Sequence, residues 1–273
     1  MQGIGPYTLR SSKVFMNFFN QHASSYHQNT PVQKQMAQDL YLAMQKHIPH
    51  WGSVFEFGAG TGHLSHQILQ HAGVQKMQLA DQSLAMLFQN QIQAPPHKVD
   101  TDFIEMDVAS GEIPTCYDIY TSNACIQWIQ DLPHFAEKLK TAIPPGSYLA
   151  FTTLARDHFY EFYESYLAST LQVFPVPISL YHAREIEELM YRNGFNLLLS
   201  QNQKQCVSHS SLRDIFKNIK SMGAFSSRES LPLPYRGWSQ NYQDLFGKNF
   251  PLTWSWSTFV FQRSDSLFFS EED

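Results

Sequence analysis

Three carboxylates stand at the ends of three apolar runs: Glu56 in SVFEFGAGTG, Asp81 in MQLAD and Asp107 in FIEMD. An acid at the carboxyl end of a buried strand sits where open α/β sheets receive ligands. Gly58, Gly60 and Gly62 follow the first acid with the spacing GxGxG. Glycines there let the chain reverse tightly and approach a ligand closely, and the start of a following helix offers unpaired N–H groups. Position 63 is His63, so the dinucleotide fingerprint GxGxxG is not met and a pyrophosphate is disfavoured. Glu56 is placed to hold a cationic amino group. Asp81 comes 19 residues after Gly62, the separation at which an acid meets ribose hydroxyls. Asp107, with Met106 beside it, is placed to accept a hydrogen bond from an adenine amino group.

A ligand with an amino-acid end and a nucleoside end satisfies all three acids, and that describes S-adenosylmethionine. The elements that must hold them follow from the pattern. Val54, Phe55 and Phe57 predict a buried strand, and Leu64, Ile68 and Ala72 a helix closed by Gly73. Further strands are expected at 103–107, at 117–123 and, after the turn PPG, at 148–153. Ser83 to Gln93 reads as a helix stopped by Pro95 and Pro96. Thr30 and Pro31 start another, with Val32, Met36, Leu40, Ala43 and Met44 on its buried face. This order of strands and acids is that of a class I methyltransferase. The expected fold is α/β and Rossmann-like, a seven-stranded, mostly parallel sheet with helices on both faces and an inserted helical lid.

After the fourth strand comes SNACIQWIQDL, where Asn123 and Gln127 offer hydrogen bonds and Trp128 a wall beside the cofactor or the acceptor. DNA adenine methyltransferases carry NPPY or DPPY here, and this chain does not. Ahead of the first strand, Phe15, Phe18, Phe19, His22 and Tyr26 recur with helical spacing, so a cap helix is expected over 10–28 with Tyr26 reaching the ligand. Residues 155–193 and 205–250 are expected as insertions forming the lid and the acceptor side of a single domain spanning 1–273. The final antiparallel pair is expected at 195–200 and 254–262, and an acidic, flexible tail at 264–273. Within the second insertion, SLRDIFKNIKSMG predicts a helix with Lys217 and Lys220 on one face. They are the candidate cations for an anionic acceptor or an acidic partner.

The chain has 273 residues and a net charge of -5, which argues against a nucleic-acid partner. Cys116, Cys125 and Cys206 show no paired spacing, and no metal-ligand motif is present. No stretch approaches membrane-spanning length, so a cytoplasmic protein without membrane contact is expected.

FNQHASSY, EFGAGTG, SNACIQW, LAFTTL, IKSMGA and FPLTWSWSTFVF, in that order, resemble the malonyl-acyl carrier protein O-methyltransferases of biotin synthesis. EFGAGTG is shared by class I methyltransferases at large; SNACIQW, LAFTTL and IKSMGA are narrower. The resemblance implies methylation of the free carboxylate of a malonyl thioester, with S-adenosylmethionine as methyl donor and malonyl-acyl carrier protein as partner. It implies Tyr26, Gln127 and Trp128 at the reacting centre and Lys217 and Lys220 at the acceptor. Lys217 stands where the family often has arginine, and a lysine cannot grip a carboxylate with two parallel N–H groups. A methyltransferase for another small acceptor, and a cofactor-binding module without catalysis, share the cofactor half.

Overall fold

The computed structural model describes residues 12–174, 178–221 and 235–264. The expected helix start at Arg10, the tail beyond Ser264 and the Met222–Ala224 end of IKSMGA lie outside them.

Seven strands form one sheet: β1 (Ser53–Phe57), β2 (Lys76–Asp81), β3 (Asp100–Glu105), β4 (Ile119–Ser122), β5 (Tyr148–Leu154), β6 (Phe195–Ser208) and β7 (Pro251–Arg263). Their order is β3-β2-β1-β4-β5-β7-β6. The first five are parallel, and β7 runs antiparallel to both its neighbours. The helices are α1 (Ser12–Asn29), α2 (Pro31–His47), α3 (Ser65–Ile68), α4 (Leu84–Gln93), α5 (Leu132–Ala142), α6 (Tyr160–Thr170), α7 (Ala183–Arg192), α8 (Leu212–Ser221) and α9 (Tyr235–Phe246). Among the described residues, no helix is long and apolar enough to cross a membrane.

Burial on both faces explains the continuous apolar strands. Phe55, Phe57, Phe151, Phe259 and Phe261 join α5 and α7 in one cluster. Val54, Met77, Leu79, Ala150 and Val260 join α2 on the opposite face. The two halves of β7 divide its work. Its later residues pair with β5, whereas residues 251–255 run past the end of β5 and pair only with β6. Leu252 and Trp254 there, with Trp256 at the last pair with β5, seed a third cluster with Phe162 and Tyr166 of α6, Ile215 and Ile219 of α8, and Trp238 and Tyr242 of α9.

Two expectations are corrected. The helix after the glycine turn is only the four residues of α3, and Ala72 lies beyond it, exposed, because the chain turns at 69–73 to enter β2. β6 runs to Ser208 rather than Ser200: its polar second half has weak strand propensity, but it forms an edge whose ladder to β7 is complete. Among the described residues of the two insertions, the apolar faces of α6, α8 and α9 are used in the third cluster and that of α7 against the sheet.

Candidate functional site

The carboxyl ends of β1 to β4 open onto a cavity of about 610 Å³, at the place where strand order reverses between β1 and β4. Glu56, Gly58 and Gly60 come to it from β1 and the turn after it, and Asp81 from the end of β2. Met106 and Asp107 enter after β3, Asn123 and Trp128 after β4, and Tyr26 from α1. Among the described residues, nothing beyond Phe135 lines it, and no lining residue is lysine or arginine.

Both lining glycines have left-handed backbone, φ +65° at Gly58 and +53° at Gly60. A Cβ on Gly58 would stand 2.5 Å from Cys125 Sγ, while one on Gly60 would meet nothing within 4 Å. The first glycine therefore allows close packing, and the second keeps open space where a ligand can lie against the backbone. Gly60 N–H donates to Asp81 Oδ2 at 2.9 Å, tying the turn to the neighbouring strand end.

Glu56 is 1% exposed. Its Oε2 accepts a hydrogen bond from Ser65 Oγ at 2.7 Å, which is in turn held by Asn90 Nδ2 at 3.0 Å. Burial pushes the Glu56 carboxyl up to about 8, the Ser65 bond working against this and the Asp81 charge adding to it. Burial likewise raises Asp81 to about 6 despite the N–H groups of Ser83 and Gly60. Neither acid has a lysine or arginine partner among the described residues. Two buried carboxylates without a counter-charge are costly to ionise, and a cationic ligand removes that cost.

Phe19, Tyr26 and Trp128 form an aromatic wall. Phe19 meets Tyr26 edge-on at 5.9 Å and Trp128 at 5.7 Å between ring centroids. The Tyr26 phenol is held above its ordinary pKa, by burial first and then by Asp81 and Cys125, so it stays protonated. α1 is fastened beside this wall by histidines. His27 Nδ1 lies 3.1 Å from Thr61 O, and its ring stacks on His63 at 4.2 Å. Thr61 Oγ1 lies at the same 3.1 Å from His27 Nδ1, so this nitrogen meets both oxygens of one threonine. Thr30 Oγ1 donates to Tyr26 O at 2.7 Å and therefore accepts from His63 Nε2 at 2.8 Å. Burial, then His27, Lys34 and His66, push His63 down to about 3, so the clasp is uncharged.

Other expected site residues lie elsewhere. Gly62 does not line the cavity; a Cβ there would collide with the His66 ring. Gln127 is buried in the 3-10 turn Ile126–Trp128, with Nε2 bonded to Ala124 O at 2.8 Å and Oε1 facing Thr153 Oγ1 at 3.4 Å. That turn points Gln127 into the fold and leaves Trp128 at the cavity. Lys217 and Lys220 are exposed on α8, because Leu212, Ile215 and Ile219 claim its inward face. Asn123 lines the cavity, donating to Gln33 O at 3.0 Å and accepting from Thr152 Oγ1 at 2.7 Å. Cys125, His134 and Phe135 line the cavity without having been singled out. A signal for the last two was present, since Asp131 caps α5 through His134 N–H and brings its first turn to the strand ends. Among the described residues, no cluster of three or more His, Cys, Asp or Glu side chains is placed to hold a metal.

A family described as "Methyltransferase domain" matches residues 27–200, which is more than half of the chain. The chain belongs to this family. Curated relatives of the methyltransferase include the malonyl-[acyl-carrier protein] O-methyltransferase of Calditerrivibrio nitroreducens, 27% identical over 211 residues, 77% of this chain and 79% of the relative. The enzyme of the same name from a Paenibacillus species is 27% identical over 228 residues, 79% of this chain and 82% of the relative. Solved structures agree in fold. YcgJ protein from Bacillus subtilis superposes with a TM-score of 0.58 at 12% identity, over 84% of this chain and 99% of that one. Phosphoethanolamine N-methyltransferase 2 of Haemonchus contortus, solved with S-adenosyl-L-methionine, gives 0.54 at 15% identity, over 96% of this chain and 62% of that one.

Proposed function

We propose that the methyltransferase esterifies the free carboxylate of a malonyl thioester carried on an acyl carrier protein, using S-adenosylmethionine, the early step of biotin synthesis that the sequence blocks imply. The observation that carries the cofactor half is the pair of buried, uncompensated carboxylates, Glu56 and Asp81, beside the open space over Gly60. These residues fit the cofactor: Glu56 for the ammonium, Asp81 for the ribose hydroxyls, Asp107 for the adenine amino group. The aromatic wall of Phe19, Tyr26 and Trp128 suits a sulfonium, since ring faces attract cations. When bound, S-adenosylmethionine supplies a methyl carbon made electrophilic by that sulfonium.

The acceptor half is supported by the relatives' shared name and by the ordered sequence blocks. A carboxylic acid of pKa roughly 4 is ionised at neutral pH, so no general base is needed. No lysine or arginine among the described lining residues quenches the nucleophile's charge, and the aromatic wall gives it an apolar neighbour in place of water. Among the described residues no lysine or arginine lines the cavity to pair with a carboxylate, and this supports a second reading, a neutral small acceptor.

The test is incubation of the purified chain with methyl-labelled S-adenosylmethionine and, separately, malonyl-acyl carrier protein, malonyl-coenzyme A, free malonate and a panel of hydroxyl and amine acceptors. A methyl ester on the carrier-bound malonyl group is expected. Label on a neutral acceptor alone would replace this reading with the second.

A further inference from the structure

Lys138, on α5 one turn beyond His134 and Phe135, is outside the cavity lining but bonded to the segment that forms one of its walls. Its Nζ donates to Val108 O at 2.8 Å, to Ala109 O at 3.2 Å and to Gly111 O. An ammonium has three protons, and here three backbone carbonyls of one turn take them. The turn is built around Asp107: Gly111 N donates to Asp107 O at 2.6 Å, Ala109 N to Oδ1 at 3.1 Å and Ser110 Oγ to Oδ2 at 3.0 Å. Asp107, Val108 and Ala109 all line the cavity. Carbonyls gathered on one side of a turn repel one another, and removing the ammonium would let them turn to solvent, carrying Asp107 with them. Burial lowers the Lys138 pKa, and the nearby Asp107 charge opposes that.

We infer that Lys138 is a positioning residue for the nucleoside end of the cavity: its ammonium sets the 107–111 turn so that Asp107 faces the purine 6-position and discriminates an amino group from an oxo group. This rests on the cofactor reading given above. An amino group donates to the Asp107 carboxylate, whereas an oxo group repels it.

The experiment measures binding of S-adenosylhomocysteine and S-inosylhomocysteine, which differ in the 6-substituent and in N1, a bare acceptor in the first and an N–H in the second, to the full chain and to its Lys138→Met and Lys138→Arg variants. In Lys138→Met the adenosyl compound is expected to bind roughly tenfold more weakly, about 1.4 kcal/mol. The inosyl compound should change little, so the preference between the two shrinks by the same factor. Loss of stability alone would lower the melting temperature without moving that ratio. Arginine keeps the charge but spreads its donors over a plane, so Lys138→Arg should give a ratio between the two, and it carries the test if the methionine variant does not fold. A wild-type ratio in the folded variants, or equal weakening of both compounds, overturns the inference while leaving the cofactor reading intact. Binding of neither compound by the wild-type chain overturns both.

Discussion

Glu56 and Glu161 are both 1% exposed, yet they differ in what their oxygens meet. In the third cluster, Glu161 accepts from Thr253 N at 2.9 Å and from Thr253 Oγ1 at 2.5 Å. Its neighbours are equally complete: Trp238 Nε1 donates to Ser165 Oγ at 2.8 Å, and Tyr242 OH to Pro251 O. Glu56 has one hydroxyl partner and otherwise faces the cavity with Asp81. The contrast separates two uses of burial. In the third cluster, polar tips are matched to partners in the same chain, so the region is a scaffold. At the strand ends, acceptors are left for a partner the chain does not contain, which makes the empty state less stable than it need be.

The sharpest way to break the comparison is to damage the scaffold and watch the cavity. Trp238→Ala should cost about 3–5 kcal/mol of stability, lowering the melting temperature by about 10 °C, while the folded molecules bind S-adenosylmethionine as before. A matching loss of affinity would show the two regions to be coupled. Next comes Glu56→Gln. Losing the charged partner of a buried cation should weaken S-adenosylmethionine by roughly a hundredfold, about 2.7 kcal/mol. Its stability should move the other way. Glu56 titrates near 8 in the fold, above its unfolded value, so the stability it contributes is full below pH 4.5 and lost as pH rises through about 8. The glutamine variant should therefore be the more stable of the two above pH 8, and denaturant titrations at pH 6 and pH 9 check this.

A smaller effect follows from the same group. Binding a cation favours ionised Glu56, so below about pH 8 it must release a proton. Affinity should rise with pH by up to about tenfold per unit and level off above 8, with proton release visible by calorimetry in buffers of different ionisation heat. A flat profile between pH 6 and pH 8 would show that Glu56 does not meet the cation. The smallest effect is expected from Lys217→Ala with Lys220→Ala. Both side chains are exposed, so stability should stay within about 0.5 kcal/mol and cofactor affinity should not change. A salt-sensitive loss of turnover with a carrier-bound acceptor, but not with a free one, would assign that face of α8 to the carrier.

Legibility in the sequence tracked the range of the interactions involved. The glycine turn and the helix from Ser83 are local: each depends on residues within a few positions, and each stands where its pattern places it. Lys217 and Lys220 were a plausible charged face, but helical spacing says only that two residues share a side, not what that side meets. Gln127 had the right chemistry in the right segment, and one 3-10 turn directed it inward. Lys138 drew no notice because its three carbonyls lie 27 to 30 residues away in the chain.

By itself, the sequence determined the strands of the cofactor half, the glycine turn and the acids that follow the strands, since hydrophobic periodicity and turn chemistry act over short distances. Tertiary structure alone decided that the described helices α6, α8 and α9 pack together as a scaffold. Their apolar faces found Leu252 and Trp254 where β7 outruns β5, and Trp256 at the last β5 pair, residues far apart in the chain whose burial together no local pattern announces.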